Sequence, residues 1–150
     1  MSLIDTEPTI GWNFNFSRNH MVRAATTQMG HHLDVALNRT DLAYRLSVVV
    51  EEMREMMVAA QRLSDAMMQK RGPQTVKDRS AELLKEMADL AYTLDGTAAT
   101  FGWDFDRAFE LVHESNMTKT ASRGPFEKWV KGPDYKPADV TECLNGTKAV

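Results

Sequence analysis

Five acidic side chains fall in two short runs of the chain. "EEMREMM" at 51–57 supplies Glu51, Glu52 and Glu55, and "KEMADL" at 85–90 supplies Glu86 and Asp89. Residues three apart on a helix are surface neighbours, so Glu52 projects with Glu55 and Glu86 with Asp89. Glu51 reaches Glu55 at i,i+4. Two like charges about 4 Å apart repel by roughly 4 kcal/mol at an effective dielectric near 20. If two helices bring these acids together, the cluster needs a counter-charge or shifted pKa values. A divalent cation meets that need. Oxygen-only ligands select a hard ion, Mg²⁺ or Mn²⁺, over zinc. The residues alone leave a second reading open, in which both runs are solvated helix borders. Val48 shares the sector of Glu52 and Glu55, which speaks against a purely wet face.

Placing the acids falls to two long helices. Asn38 or Thr40 caps one that runs to about Lys70, where "RGPQT" stops it. Its expected buried stripe is Leu46, Val49, Met53, Met56, Met57 and Ala60. Thr75 or Asp78 opens the next, which runs to about Phe101 with the stripe Leu83, Leu84, Met87, Leu90, Ala91, Leu94, Ala98 and Phe101. From Ala91 to Thr100 most side chains are small, which permits close helix approach. Before these, Ser17 caps a first helix ended by Gly30. After them, Gly102 breaks the chain and Asp104 caps a fourth helix carrying Phe105, Ala108, Phe109, Val112 and Met117. Residues 1–16 read as an irregular arm with Trp12, Phe14 and Phe16 as anchors. Residues 17–120 form the helical domain, and 121–150, with three prolines in "ASRGPFEKWVKGPDYKPADV", an extended arm. The expected fold is all-α, a bundle of four to five helices.

Composition narrows the function. The chain has 150 residues, 43% hydrophobic and 26% charged, which suits one globular domain. Its net charge is −3 and it has no basic run, so nucleic acid is not an expected partner. No apolar stretch reaches the roughly 18 residues a membrane span requires. The first residues lack a basic segment followed by an apolar run, so no signal peptide is expected. A single cysteine, Cys143, allows no internal disulfide and suits a reducing, cytoplasmic setting. Neither His20, His31, His32 and His113 nor Cys143 shows zinc-site spacing. No phosphate-cradling glycine loop and no GxSxG turn is present. The ten methionines suit a core or an oligomer interface. Trp12, Trp103 and Phe16 read as core packing rather than as a base-stacking set.

Taken in order, "EEMRE", "KEMADLAYTLDGTAATFGWD", "VHESNMTK" and "KGPDYKPADV" resemble the MazG-like all-α nucleoside triphosphate pyrophosphohydrolase superfamily over about residues 18–140. The family's ExxE and ExxD fall on Glu52, Glu55, Glu86 and Asp89. The extra Glu51 is similar to the small single-domain members with a dUTP-hydrolysing branch, and the family's Asn-x-x-Lys falls on Asn116 and Lys119. The resemblance implies Mg²⁺-dependent cleavage of a triphosphate between its α and β phosphates, in a homodimer or dimer of dimers that completes the bundle. It implies Glu52, Glu55, Glu86 and Asp89 as metal ligands. Glu51 is then a ligand of a second ion or the base that orients water, which puts Glu51, Glu52 and Glu55 at the chemistry. Lys119 would meet phosphate oxygens, and Asn116 sugar, base or phosphate. Lys128, Lys131 and Tyr135 lie where the family closes a C-terminal cover over the phosphates; as plain side chains they also fit a packed arm. A dUTP-type pyrimidine preference is the leading expectation. Phosphoribosyl-ATP pyrophosphohydrolase is the alternative, and a non-catalytic helical interaction protein the third.

Overall fold

The computed structural model describes residues 18–120 and 128–144. The expectations for Trp12, Phe14, Phe16 and the Ser17 cap lie outside them. Four helices follow in order: α1 (Arg18–Gln28), α2 (Arg39–Met68), α3 (Pro73–Thr100) and α4 (Phe105–Met117), then a short 3-10 turn at Thr141–Leu144. Among the described residues there is no strand, only one antiparallel bridge between Thr120 and Val130. The all-α expectation holds. Among the described residues no helix is long and apolar enough to cross a membrane.

α2 begins at Asn38, whose side-chain oxygen accepts from the Asp41 N–H at 3.0 Å. That satisfies one of the donors a helix start leaves over. α3 starts earlier than Thr75. Gly72 is its N-cap and Pro73 takes the first turn, where a missing N–H costs nothing. Between them the chain reverses tightly: the Arg71 N–H bonds the Ala66 carbonyl at 3.0 Å, with Lys70 at φ +50°. The resulting hairpin of α2 and α3 is the main packing unit. Arg62 and Glu82 tie its two arms near the turn.

The inward line of α2 is Val49, Glu52, Met56, Ala59, Leu63 and Ala66, every one at least half-buried. The expected stripe is therefore only partly right. Val49, Met56 and Ala60 face inward, but Leu46, Met53 and Met57 are exposed, Met57 by 61%. On α3, Leu83, Leu90 and Ala91 are half-buried and Ala98 and Phe101 fully buried, whereas Leu84, Met87 and Leu94 face water. Phe109, Val112 and Met117 of α4 are exposed too. The physical reason is that each long helix carries apolar residues over more than one face, and one chain covers only one of them.

α1 packs against the C-terminal half of α3, where Asp95, Gly96, Ala98, Ala99 and Thr100 are buried. A Cβ on Gly96 would make only ordinary contacts, 3.6 Å from Arg45 and 3.7 Å from Val22, so this approach does not demand a glycine. Asp34 and Val35 bond the Ala99 and Thr100 carbonyls at 3.2 and 2.8 Å. Gly102, at φ +67°, leaves no room for a Cβ, which would meet the Asp34 carboxylate at 2.9 Å. Asp104 then caps α4 through the Arg107 N–H at 3.0 Å.

Residues 128–144 run back along α4 as a strap. Val130 and Thr120 exchange bonds of 2.9 and 3.2 Å. The Ser115 hydroxyl donates to the Lys136 carbonyl at 2.7 Å, and the Lys136 N–H to the Thr118 hydroxyl at 2.9 Å. At the far end the Asp104 N–H donates to the Cys143 carbonyl at 2.8 Å, and Arg107 pairs with Glu142 at 3.2 Å. Cys143 is buried, and desolvation pushes its thiol above the usual range, so it is not poised as a nucleophile.

Candidate metal centre

Glu52 and Glu86 are half-buried on facing lines of α2 and α3, which puts two carboxylates inside a seam otherwise built from apolar side chains. Asp89 follows Glu86 by three residues and borders the same seam. One oxygen from each of Glu52, Glu86 and Asp89 lies within 4.8 Å of the other two. Each such pair repels by about 3–4 kcal/mol at an effective dielectric near 20. Desolvation pushes the Glu52 carboxyl above its ordinary range, and the charges of Glu55, Asp89, Glu51 and Glu86 push it further.

What answers the charge inside the chain is Lys85, which sequence reasoning passed over. Its ammonium sits 3.1 Å from Glu86 Oε1 and 2.7 Å from Asp89 Oδ2, and those two acids raise its pKa. The signal was present in the i,i+4 spacing of Lys85 and Asp89. Lys85 leaves the cluster incompletely served. Glu86 Oε2 is buried with no hydrogen-bond partner, and Glu52 has no cation beside it among the described ion pairs. An orphaned buried oxygen next to two more carboxylates fits a hard divalent cation.

The remaining predicted acids stand at the border. Glu55 is exposed and lines an adjoining cavity with Arg54, Val58, Ala59, Arg62, Glu82 and Glu86. Its charge reaches Glu52, but it is not among the three convergent carboxylates. Glu51 is exposed and acts on Glu52 only through its charge.

A second group gathers on α4 and the strap. Asn116 and Lys119 line a cavity of about 310 Å³ with Met117 and Trp129. Lys131 lies 4.9 Å from the centre of the Tyr135 ring. The Tyr135 hydroxyl lies 3.4 Å from the Ser115 hydroxyl, and that contact, with the nearby Lys131 and Lys119 charges, lowers its pKa. Asn116, Lys119, Lys131 and Tyr135 thus occupy one neighbourhood. Lys128 is exposed at the start of the strap.

The phosphoribosyl-ATP pyrophosphohydrolase family model matches residues 20–116. That span holds α2 and α3 whole, nearly all of α1 and α4, and all five acids. The chain belongs to this family. Its place is within the MazG-like all-α pyrophosphohydrolase superfamily, and the acidic trio is consistent with the divalent-metal site typical of the family. The match names the alternative of the sequence reading rather than its leading dUTP-type expectation. The strap lies beyond the matched span. No curated protein matches the chain.

Proposed function

We propose that the protein is a Mg²⁺-dependent pyrophosphohydrolase that cuts the α–β phosphoanhydride of a triphosphate, with phosphoribosyl-ATP as its substrate. The reading is carried by the convergence of Glu52, Glu86 and Asp89 within the matched helices. It would place the protein in histidine biosynthesis. The (d)NTP reading, with its pyrimidine preference, is the second, supported by Glu51 beside Glu52, the extra acid that resembles the dUTP-hydrolysing branch.

Glu52, Glu86 and Asp89 would hold the ion, with Glu55 joining as substrate draws in. When bound, the ion supplies charge neutralisation at the phosphates and a more acidic water. A triphosphate carries about four negative charges and cannot approach bare carboxylates. Lys85 pairs with two of these acids and would share with the ion the neutralising of Glu86 and Asp89. Glu51 is an exposed carboxylate next to the trio and would hold a second ion or orient the attacking water and take its proton. Lys119 and Lys131, with Lys128 at the strap's edge, would neutralise the departing pyrophosphate, and Asn116 and Tyr135 would bond the sugar or phosphate.

The functional unit in this proposal is a homodimer or dimer of dimers. Leu46, Val50, Met53 and Met57 form an exposed line along α2, and Leu84, Met87 and Leu94 another along α3. Covering such lines with a second copy removes them from water at about 25 cal/mol per Å². It would also bring one chain's lysines towards another's acids.

Pyrophosphate release over phosphoribosyl-ATP and a panel of (d)NTPs, with and without Mg²⁺, tests the proposal. Mg²⁺-dependent release from phosphoribosyl-ATP is the expected result. Release from pyrimidine triphosphates alone would select the second reading. Inertness towards all of them would leave a helical interaction protein.

A further inference from the structure

Trp129 is an unusual residue to leave half in water. It is 54% exposed, yet its backbone is not loose. Val130, its neighbour, is bonded both ways to Thr120. Two residues further on, Gly132 lies against Thr120 so closely that any Cβ there would collide with the Thr120 hydroxyl. Lys136 is then fixed from both sides by Ser115 and Thr118. The indole is thus presented on a pinned support, and an aromatic plane held open to solvent is a ready surface for another flat ring.

The cavity beneath it makes the match specific. Its lining is Trp129, the flexible thioether of Met117, the Asn116 amide and the Lys119 ammonium, around about 310 Å³. A plane and a soft apolar wall suit the faces of a heterocycle. An amide has a donor and an acceptor for its edge. An ammonium suits a phosphate held one sugar away. Plane, edge and phosphate in that order describe a nucleotide.

We propose that Trp129 and Met117 form the slot that receives the nucleobase, with Asn116 reading its edge and Lys119 holding the phosphate end. This rests on the nucleotide reading given above, and it assigns to the strap the part of the substrate that the acids do not touch. Three of the four lining residues lie beyond the span the family model matches. Trp129 and Met117 thus stand outside both the matched span and the Asn-x-x-Lys pattern of Asn116 and Lys119.

The test uses Trp129→Ala and Trp129→Phe in the full chain. Base–aromatic stacking predicts a rise in KM of about five- to a hundredfold in Trp129→Ala for whichever base-bearing substrate is turned over. kcat should change little, and the inhibition constant of inorganic pyrophosphate should change far less than KM. Trp129→Phe should recover most of the loss. Equal shifts for substrate and pyrophosphate, or none for either, would overturn the slot. A second measurement stands apart from turnover: adenosine and uridine 5′-monophosphate are titrated without metal while indole fluorescence is followed. Quenching that disappears in Trp129→Phe supports the slot even if no triphosphate is hydrolysed. Identical traces for the two proteins refute it even if hydrolysis is robust.

Discussion

The hairpin of α2 and α3 and the strap on α4 hold their candidate groups on opposite principles. The hairpin holds its acids by helix geometry. Glu52 and Glu86 stand at inward positions of two packed helices, so their backbones are set by everything else in the seam. The strap holds its lysines through a few hydrogen bonds from Ser115, Thr118 and Thr120. Changing a hairpin acid should alter charge without altering shape. Changing a strap anchor should do the reverse. On the proposed function, metal binding and phosphate binding should therefore be separable by mutation.

The largest expected effect is at the hairpin. Glu52→Gln should lower Mg²⁺-dependent turnover by at least about a hundredfold, since a bound ion supplies several kcal/mol of charge stabilisation. The metal-free protein should melt no lower than wild type, because a desolvated carboxylate among like charges has been neutralised. A clear drop in metal-free stability would show that Glu52 is structural.

Beside the strap, at the end of α4, Lys119→Ala should raise KM roughly tenfold or more, the weight of a charged hydrogen bond, with Mg²⁺ affinity unchanged by calorimetry. A parallel loss of metal affinity would collapse the contrast between the two regions.

Next comes the ion itself. At a hundred times its dissociation constant, Mg²⁺ should stabilise the fold by about 2.7 kcal/mol. The gain should be absent in Glu52→Gln and present in Lys119→Ala, as thermal melts would show. The pH dependence sharpens this. Desolvation and neighbouring acids raise Glu52, and desolvation, offset by Arg18 at 3.7 Å and reinforced by Asp106, raises Asp95. A carboxyl raised by folding binds its proton more tightly in the folded state. Its contribution is complete below the ordinary carboxylate range and is lost as pH climbs through the raised value. Metal-free melts should fall over that window, and saturating Mg²⁺ should remove the Glu52 part while leaving that of Asp95.

The smallest effect lies at the hairpin turn. Lys70 is in the left-handed region, which costs a residue with a Cβ about 1 kcal/mol. Lys70→Gly should stabilise the fold by about 0.5–1 kcal/mol in denaturant titrations and leave catalysis alone.

Sequence legibility divides along the same boundary. Caps at Asn38 and Asp104, the Gly30 and Gly102 breaks and the three-residue spacing of the acids are local signals, and all were readable. The start of α3 was misplaced because Thr75 is a good cap by type, while Pro73 fits the first turn better by geometry. The inward lines were blurred because Leu46, Met53, Leu84 and Met87 are as apolar as the residues that are buried. Periodicity does not say which apolar face one chain covers. Asp95, only 1% exposed, was missed among small helix formers, and Lys85 because its partners were assigned to metal. Trp129 was missed because its slot exists only once Val130 has found Thr120, a pairing across a gap no local rule spans.

The pressed contact between Gly132 and Thr120 has a consequence of its own. A single methyl there would force the Thr120 hydroxyl to turn aside, a strain felt by the strap and not by the helical hairpin. On the proposed function, such a chain would keep its hold on the ion while its grip on the nucleotide weakens, a step from catalyst towards chelator.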